Sequence, residues 1–214
     1  MKKLFVSVAA ICISVIAAQA QETTVKTEKT NEVHFGIRGG VNVANIIKTD
    51  DNNFSTDMKL GFNAAVFLEI PIVNGFSVQP EFQYSQKGYK TSGSYLTQPY
   101  EYSVTTNYLE VPLLAKINPT KEFSILIGPQ FSFLTSSKYN FKSGGTSYQD
   151  IVEEGNDDLR KNILGGVIGV EFNASHIVLG ARYNLDFQQN ESNGSSTTPT
   201  YKNQVIQFTI GLRL

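Results

Sequence analysis

Past residue 20 the sequence has no cysteine, and it has no tryptophan anywhere. The single cysteine, Cys12, lies in an N-terminal leader, so no disulfide can brace the chain beyond it. A secreted chain of this kind must be held by its core, its hydrogen-bond ladder or a membrane. Charge of one sign is also missing. Lys and Arg number 18 against 19 Asp and Glu, for a net charge of −1. Without a basic stripe there is no electrostatic footprint for nucleic acid. Only one long apolar run occurs, Leu4 to Ala17. It falls short of the roughly 20 residues a spanning helix needs, so transmembrane helices are excluded. The chain has two histidines, His34 and His176, and no phosphate-binding loop, Cys/His cluster or catalytic triad. No cofactor, resident metal or catalytic residue is therefore expected.

The leader "MKKLFVSVAAICISVIAAQA" has a basic start at Lys2 and Lys3, an apolar stretch, and Ala18-Gln19-Ala20 as a cleavage site. Residues 1–20 read as a secretory signal peptide. Ile11 before Cys12 argues against lipidation, which needs a small residue there. Residues 21–32, "QETTVKTEKTNE", are polar and aperiodic and read as a flexible leader outside the folded domain, which spans 33–214.

The rest of the chain is dominated by alternation. In "HIVLGARYNLDF" (176–187) the residues Ile177, Leu179, Ala181, Tyr183, Leu185 and Phe187 share one parity. Arg182, Asn184 and Asp186 share the other. A period of two is the mark of a β-strand. Eight such stretches lie near 33–46, 58–70, 75–89, 101–117, 122–135, 159–173, 175–188 and 202–214. Short connections ("PIVNG", "NPTKE", "NAS") alternate with long ones. Those are "IKTDDNNFSTD", "KTSGSYLTQPY", "SSKYNFKSGGTSYQDIVEEGNDD" and "QNESNGSSTTPT". This predicts an all-β, eight-stranded antiparallel up-and-down transmembrane barrel, with short periplasmic turns, long extracellular loops and both termini on the short-turn side.

A soluble eight-stranded barrel would hide the apolar parity inside, and a membrane barrel turns it outward. The polar parity discriminates. It carries Arg38, Glu69, Glu81, Glu110, Lys116, Glu171, Arg182, Asp186 and Arg213, together with Gly36, Gly40, Gly61, Gly128, Gly165, Gly169, Gly180 and Gly211. On a water-facing surface so much glycine would only weaken strands. In a narrow lumen it leaves room for large neighbours. The apolar parity is therefore expected to meet lipid. Four cations against five anions predict a cross-lumen charge network, since unpaired buried charge costs several kcal/mol. Bracing the fold is the plain role for it, and a proton or ion path is the alternative. Without tryptophan, Tyr84, Tyr183, Phe131, Phe133 and Phe187 would supply the outer aromatic girdle, with Phe35 and Phe123 at the other rim.

Asp150, Glu153, Glu154, Asp157 and Asp158 in the third long loop form a candidate cation-binding group, as hard cations take carboxylate oxygens. Their spacing fits no EF-hand, and solvated loop charge is the plainer reading, as for Asp50, Asp51 and Asp57 in the first loop. His176 and Asp186 share a face but lie about 33 Å apart along an extended strand, too far to act as a pair.

The stretches "FGIRGGVNVANI" (35–46), "PEFQYSQKG" (80–88), "NYLEVPLLAKI" (107–117), "FSILIGPQFSFLT" (123–135), "ILGGVIGVEF" (163–172) and "IVLGARYNLDF" (177–187) resemble the outer-membrane β-barrel domain family that includes PorT-like proteins. The piece "YLEVPLLAK", with Glu110 and Pro112, is the most specific. The resemblance implies an integral barrel of a Gram-negative outer membrane, surrounded by its lipid and inserted by the barrel assembly machinery. The absence of a catalytic arrangement, with His176 and Asp186 too far apart to pair, leads to the expectation that the protein is not an enzyme. Some PorT-like members take part in protein secretion and gliding, so protein partners in an envelope or secretion complex are implied as well. Such barrels usually finish on an aromatic residue, and this sequence ends "GLRL". A receptor or small-solute conduit, and a lipid-directed enzyme, stand as alternative functions.

Overall fold

The computed structural model describes residues 32–49, 55–95, 98–143, 146–153, 160–190 and 200–214. The signal peptide and most of the polar leader lie outside them. Nine strands run in order: β1 (His34–Lys48), β2 (Lys59–Val73), β3 (Phe76–Tyr95), β4 (Gln98–Ile117), β5 (Phe123–Ser143), β6 (Thr146–Glu153), β7 (Asn162–Ala174), β8 (Ile177–Asp186) and β9 (Tyr201–Arg213). Every pairing is antiparallel. Strands β1 to β5 pair in sequence, β7 to β9 continue the round, and β9 meets β1 from Gly36↔Arg213 to Lys48↔Tyr201. The sheet closes on itself, and closure removes the two open edges a flat sheet would have.

The ring has eight positions because β6 and β7 share one. β6 pairs with the upper part of β5 (Ser136–Ser143), and β7 pairs with its lower part (Phe123–Phe133). This corrects the expectation of one unbroken loop over "SSKYNFKSGGTSYQDIVEEGNDD". β5 runs through to Ser143, and β6 returns from Thr146. Alternating Tyr139 and Phe141 extend the strand pattern, and Gly144-Gly145 is a two-residue hairpin signal. The same holds for "KTSGSYLTQPY". β3 reaches Tyr95 and β4 starts at Gln98, so most of this predicted loop is a tall hairpin. On the opposite rim Asn74-Gly75, residues 118–122 and Ser175-His176 are short turns. Gly75 (φ +80°) and Ser175 (φ +56°) adopt the left-handed backbone such turns require.

Strand parity decides which side chains face where. Leu60 is 74% exposed and Ile210 60%, whereas Glu110 is 0% and Lys116 1% exposed. The apolar parity is on the outside of the ring and the charged parity is inside. Tyr183, Phe131, Phe187, Phe35 and Phe123 all lie exposed on the outer wall, and Phe62 and Tyr84 pack there at 5.4 Å. Among the described residues no helix is long and apolar enough to cross a membrane.

Neighbouring glycines on β1 show how tight the seam is. A Cβ added at inward Gly40 would run into the backbone carbonyl of Phe208 on β9. At outward Gly39 the nearest atom is Asn63 O at 3.7 Å, an ordinary contact. Gly40→Ala should therefore cost about 2 kcal/mol, through forced separation of β1 and β9. Gly39→Ala should change stability by less than about 0.5 kcal/mol. Urea unfolding of the two variants in detergent, followed by heat-modifiable gel mobility, checks this. Equal midpoints would contradict the seam geometry.

Candidate functional site

The inward parity of seven strands brings the charged residues together in the lumen. Glycines make the space. A Cβ at Gly36 would strike the Phe67 ring, one at Gly169 would sit 2.6 Å from Arg182 Cγ, and one at Gly211 3.1 Å from Arg38 Cβ. Bare backbone thus lets long side chains lie flat across the interior.

Seven of the nine charged residues expected from sequence form one connected network. Arg213 Nη1 meets Glu69 Oε2 at 3.4 Å near the periplasmic rim, where Arg213 is partly exposed. Lys116 Nζ bridges Glu69 Oε2 (2.9 Å) and Glu171 Oε2 (3.1 Å). Arg38 Nη1 donates to Glu171 Oε1 at 2.6 Å and lies 3.4 Å from Glu81 through Nη2. Arg182 grips Glu81 with both terminal nitrogens at 2.8 Å each, and Nη2 also donates to Glu171 Oε1 at 2.8 Å. The guanidinium fork matches the carboxylate plane, which makes this the strongest type of pair in the lumen. Arg38 also stacks on Phe67, with Cζ 4.2 Å from the ring centre. Leu114, Leu126 and Val167 form a small apolar cluster on the same inner surface, so that surface is not uniformly polar.

Glu110 and Asp186 lie apart from that network, and a residue missing from the sequence-based set joins them. Lys87 Nζ is 2.8 Å from Glu110 Oε1 and 3.1 Å from Asp186 Oδ1. It is 1% exposed and sits 5.0 Å from the Tyr108 ring centre. Glu110 also accepts from Gln83 (2.8 Å) and Ser132 (3.1 Å), and Asp186 from Asn203 (2.7 Å). The signal for Lys87 is present in the sequence, since it shares parity with Glu81 on β3. The expected strand 75–89 contains Lys87, but the expected lumen set does not include it. With Lys87 the set becomes Arg38, Lys87, Lys116, Arg182 and Arg213 against Glu69, Glu81, Glu110, Glu171 and Asp186, five charges of each sign.

Above Lys87 the lumen changes character. Ile46, Tyr89, Val104 and Tyr201 form a buried cluster, with Tyr102 and Tyr139 packed on it. Tyr89 and Tyr201 meet edge to face at 5.4 Å, and Tyr102 and Tyr139 stack at 6.4 Å. Sequence reasoning missed this aromatic plug, because Tyr102, Tyr139 and Tyr201 lie beyond or at the edges of the expected strands.

The remaining candidates are not brought together. Asp150 and Glu153 belong to β6, where they are Cα partners of Tyr139 and Ser136. Glu154, Asp157 and Asp158 lie outside the described residues, as do Asp50 and Asp51. Asp57 pairs through its backbone with Lys90. Among the described residues no group of three His, Cys, Asp or Glu could hold a metal ion. His34 opens β1, and His176 sits in the β7–β8 turn, with Nδ1 3.1 Å from Ser175 Oγ. Asp186 ends the same strand, turned toward Lys87.

A closed eight-position ring with an apolar exterior and an ionic interior leaves little choice of setting. The family model described as "Outer membrane protein beta-barrel domain" matches residues 18–211. The chain belongs to this family. It is an integral protein of the outer membrane, embedded in lipid, which excludes the soluble-barrel reading. Among solved structures it is similar to Neisserial surface protein A, with TM-score 0.51 and 12% identity over 84% of this chain and 97% of that one. It is also similar to Ail, the attachment invasion locus protein of Yersinia pestis, with TM-score 0.48 and 17% identity over 86% and 99%. At such identities the likeness concerns the fold alone. A comparison with curated proteins found no match.

Proposed function

We propose that this protein is a sealed, non-enzymatic barrel that serves as a structural or interaction component of an envelope assembly. The observation that carries the reading is the filled lumen. Two ionic clusters occupy the middle of the barrel, and a tyrosine-rich plug lies above them. Gln79, Gln83, Glu110, Lys116, Gln130 and Gln207 are all at most 1% exposed. An eight-stranded ring has little more than the space its own side chains fill. Function then falls to the rims and to the tall β3–β4 and β5–β6 hairpins. The separation of His176 from Asp186 supports a non-enzymatic role. A secretion-related role of the PorT-like kind rests on the sequence resemblance, which makes secretion and motility components the first partners to seek.

Two measurements test the reading. Purified full-length protein in a planar bilayer is expected to give no steady ion conductance. Sustained single-channel openings would overturn the sealed lumen and favour a conduit. Pull-down from native outer membranes in mild detergent should recover protein partners in near-equal amounts. Recovery of the barrel alone would count against an assembly role.

A further inference from the structure

The short-turn end of the lumen is built from turns locked to one another. Asn118 N donates to Gly75 O at 2.8 Å, which ties the β4–β5 turn to the β2–β3 turn. Asn173 N donates to Glu122 O at 2.6 Å, which ties the β4–β5 turn to β7. Phe123 N donates to Thr120 Oγ1 at 3.1 Å within that turn. These turns and the strand ends around them border a cavity of about 480 Å³ at the periplasmic mouth. Glu69, Asn118, Lys121, Asn173 and Arg213 are among the residues that line it. Glu69 has the parity of buried Phe67 on β2, and Asn173 that of buried Glu171 on β7. Arg213 is the Cα partner of inward Gly36. All three therefore face the lumen, and the locked turns hold the mouth in shape before anything binds.

Two separate observations bear on what the cavity takes. The first is charge. The larger ionic network sets four cations, Arg38, Lys116, Arg182 and Arg213, against three carboxylates, Glu69, Glu81 and Glu171. Its surplus positive charge falls at the mouth, where Arg213 is the most loosely held member. Arg213 meets Glu69 at 3.4 Å and donates to Ser175 O at 3.2 Å. A guanidinium has five N–H donors, so some are left over. The Arg213 side chain is 23% exposed, against 1% for Arg38, Lys116 and Arg182. Lys121 adds a second positive charge to the lining, and Glu69 is already held by Lys116 at 2.9 Å.

The second observation is a spare acceptor. Asn173 is 6% exposed and donates through Nδ2 to Ser124 Oγ at 2.8 Å. Ser124 Oγ gives its own proton to Asn118 Oδ1 at 2.6 Å. Asn173 Oδ1 is left buried, with no partner among the described residues. A buried carbonyl oxygen without a donor is costly, so this one favours a ligand that carries an N–H.

We propose that this cavity binds the carboxyl end of a peptide. The α-carboxylate lies against Arg213 and Lys121, and the amide N–H beside it donates to Asn173 Oδ1. Acetate supplies the charge without the N–H, and an amide-capped peptide supplies the N–H without the charge. Only a terminal residue joined by a peptide bond presents both. The inference goes beyond the assembly role and needs only the outer-membrane setting, so a failed pull-down and a failed titration have separate meanings.

The test is a ligand-observed NMR titration of the full chain, folded in a non-ionic detergent, with N-acetyl-alanyl-alanine. Wild type is expected to bind it, and to bind its carboxamide or acetate about 10-fold more weakly. Arg213→Gln and Asn173→Leu should each weaken peptide binding about 10-fold. Lys142→Gln, near the far end of β5, should bind as wild type does. Heat-modifiable mobility verifies folding. Should Asn173→Leu not fold, Lys121→Gln at an exposed turn position takes its place and should weaken binding about 3-fold. No saturable binding by wild type at millimolar peptide would overturn the proposal. So would equal affinity of wild type and Arg213→Gln, or of the peptide and its carboxamide. Acetate binding as tightly as the peptide would overturn the peptide assignment in favour of a plain anion site. Both hands of the dipeptide are titrated. Either hand supports the site, and the preferred one names its source, a protein terminus for L and a cell-wall peptide for D.

Discussion

Lys87→Met is expected to destabilise the barrel by about 5 kcal/mol, near the upper end for breaking a buried ion pair. Lys87 is the one cation within ion-pairing distance of Glu110 and Asp186 among the described residues. Its loss leaves two buried carboxylates, 0% and 1% exposed, without a cation. Gln83, Ser132 and Asn203 would still donate to them, but as neutral groups they offset little of the charge. Methionine fits the volume, so packing should contribute little to the loss. The urea midpoint for unfolding in detergent measures the effect. Adding Glu110→Gln and Asp186→Asn to Lys87→Met should restore most of it. A midpoint unchanged in Lys87→Met, or unrestored in the triple variant, would show that the ionic triad does not hold the upper lumen.

Arg182→Leu should cost about 4 kcal/mol by the same measurement. Arg182 donates to Glu81 Oε2 at 2.8 Å, and it contacts Glu81 Oε1 and Glu171 Oε1 as well. The expected loss is smaller than for Lys87, because Arg38 and Lys116 continue to hold Glu171 and Arg38 still reaches Glu81. Arg182→Lys should fall between wild type and leucine, since an ammonium keeps the charge but loses the two-pronged geometry. A cycle with Glu81→Gln isolates the pair. If the two single losses simply add in the double variant, Arg182 and Glu81 are not coupled and the network is not the source of the effect.

The architecture and the inside–outside assignment were legible because strand parity is local. One residue's neighbour at i+2 must share its face, so Arg182 and Asp186 had to be on one side and Tyr183 and Leu185 on the other. The glycines decided the sign of the assignment, and the close approach of Arg182 Cγ to the missing Cβ of Gly169 is the physical reason. Some features that were not legible lay at strand ends. Tyr102 and Tyr139 belong to hairpins beyond the apolar band, where apolar alternation fades. Lys87 lay within the expected strand 75–89, on the parity of Glu81, yet outside the expected lumen set. Leu114 and Leu126 point inward beside the ionic network, and no rule based on residue polarity would place them there.

The sequence by itself determined the order of the eight expected strands, the parity of most side chains and nine of the ten lumen charges, because each depends on spacing along one strand. A register shift opposite Asn107 and Tyr108 turns Tyr139 inward, out of phase with exposed Phe131, and only the structure shows it. Only the tertiary structure decided which cation meets which carboxylate. Arg182 and Glu81 are separated by 101 residues and Arg38 and Glu171 by 133, yet both pairs are in contact across the lumen. Those meetings are set by the register of all eight positions together, through the tilt and stagger that ring closure imposes. Closure also split the charges into two clusters, since neighbouring strands bring together residues that the chain itself keeps far apart.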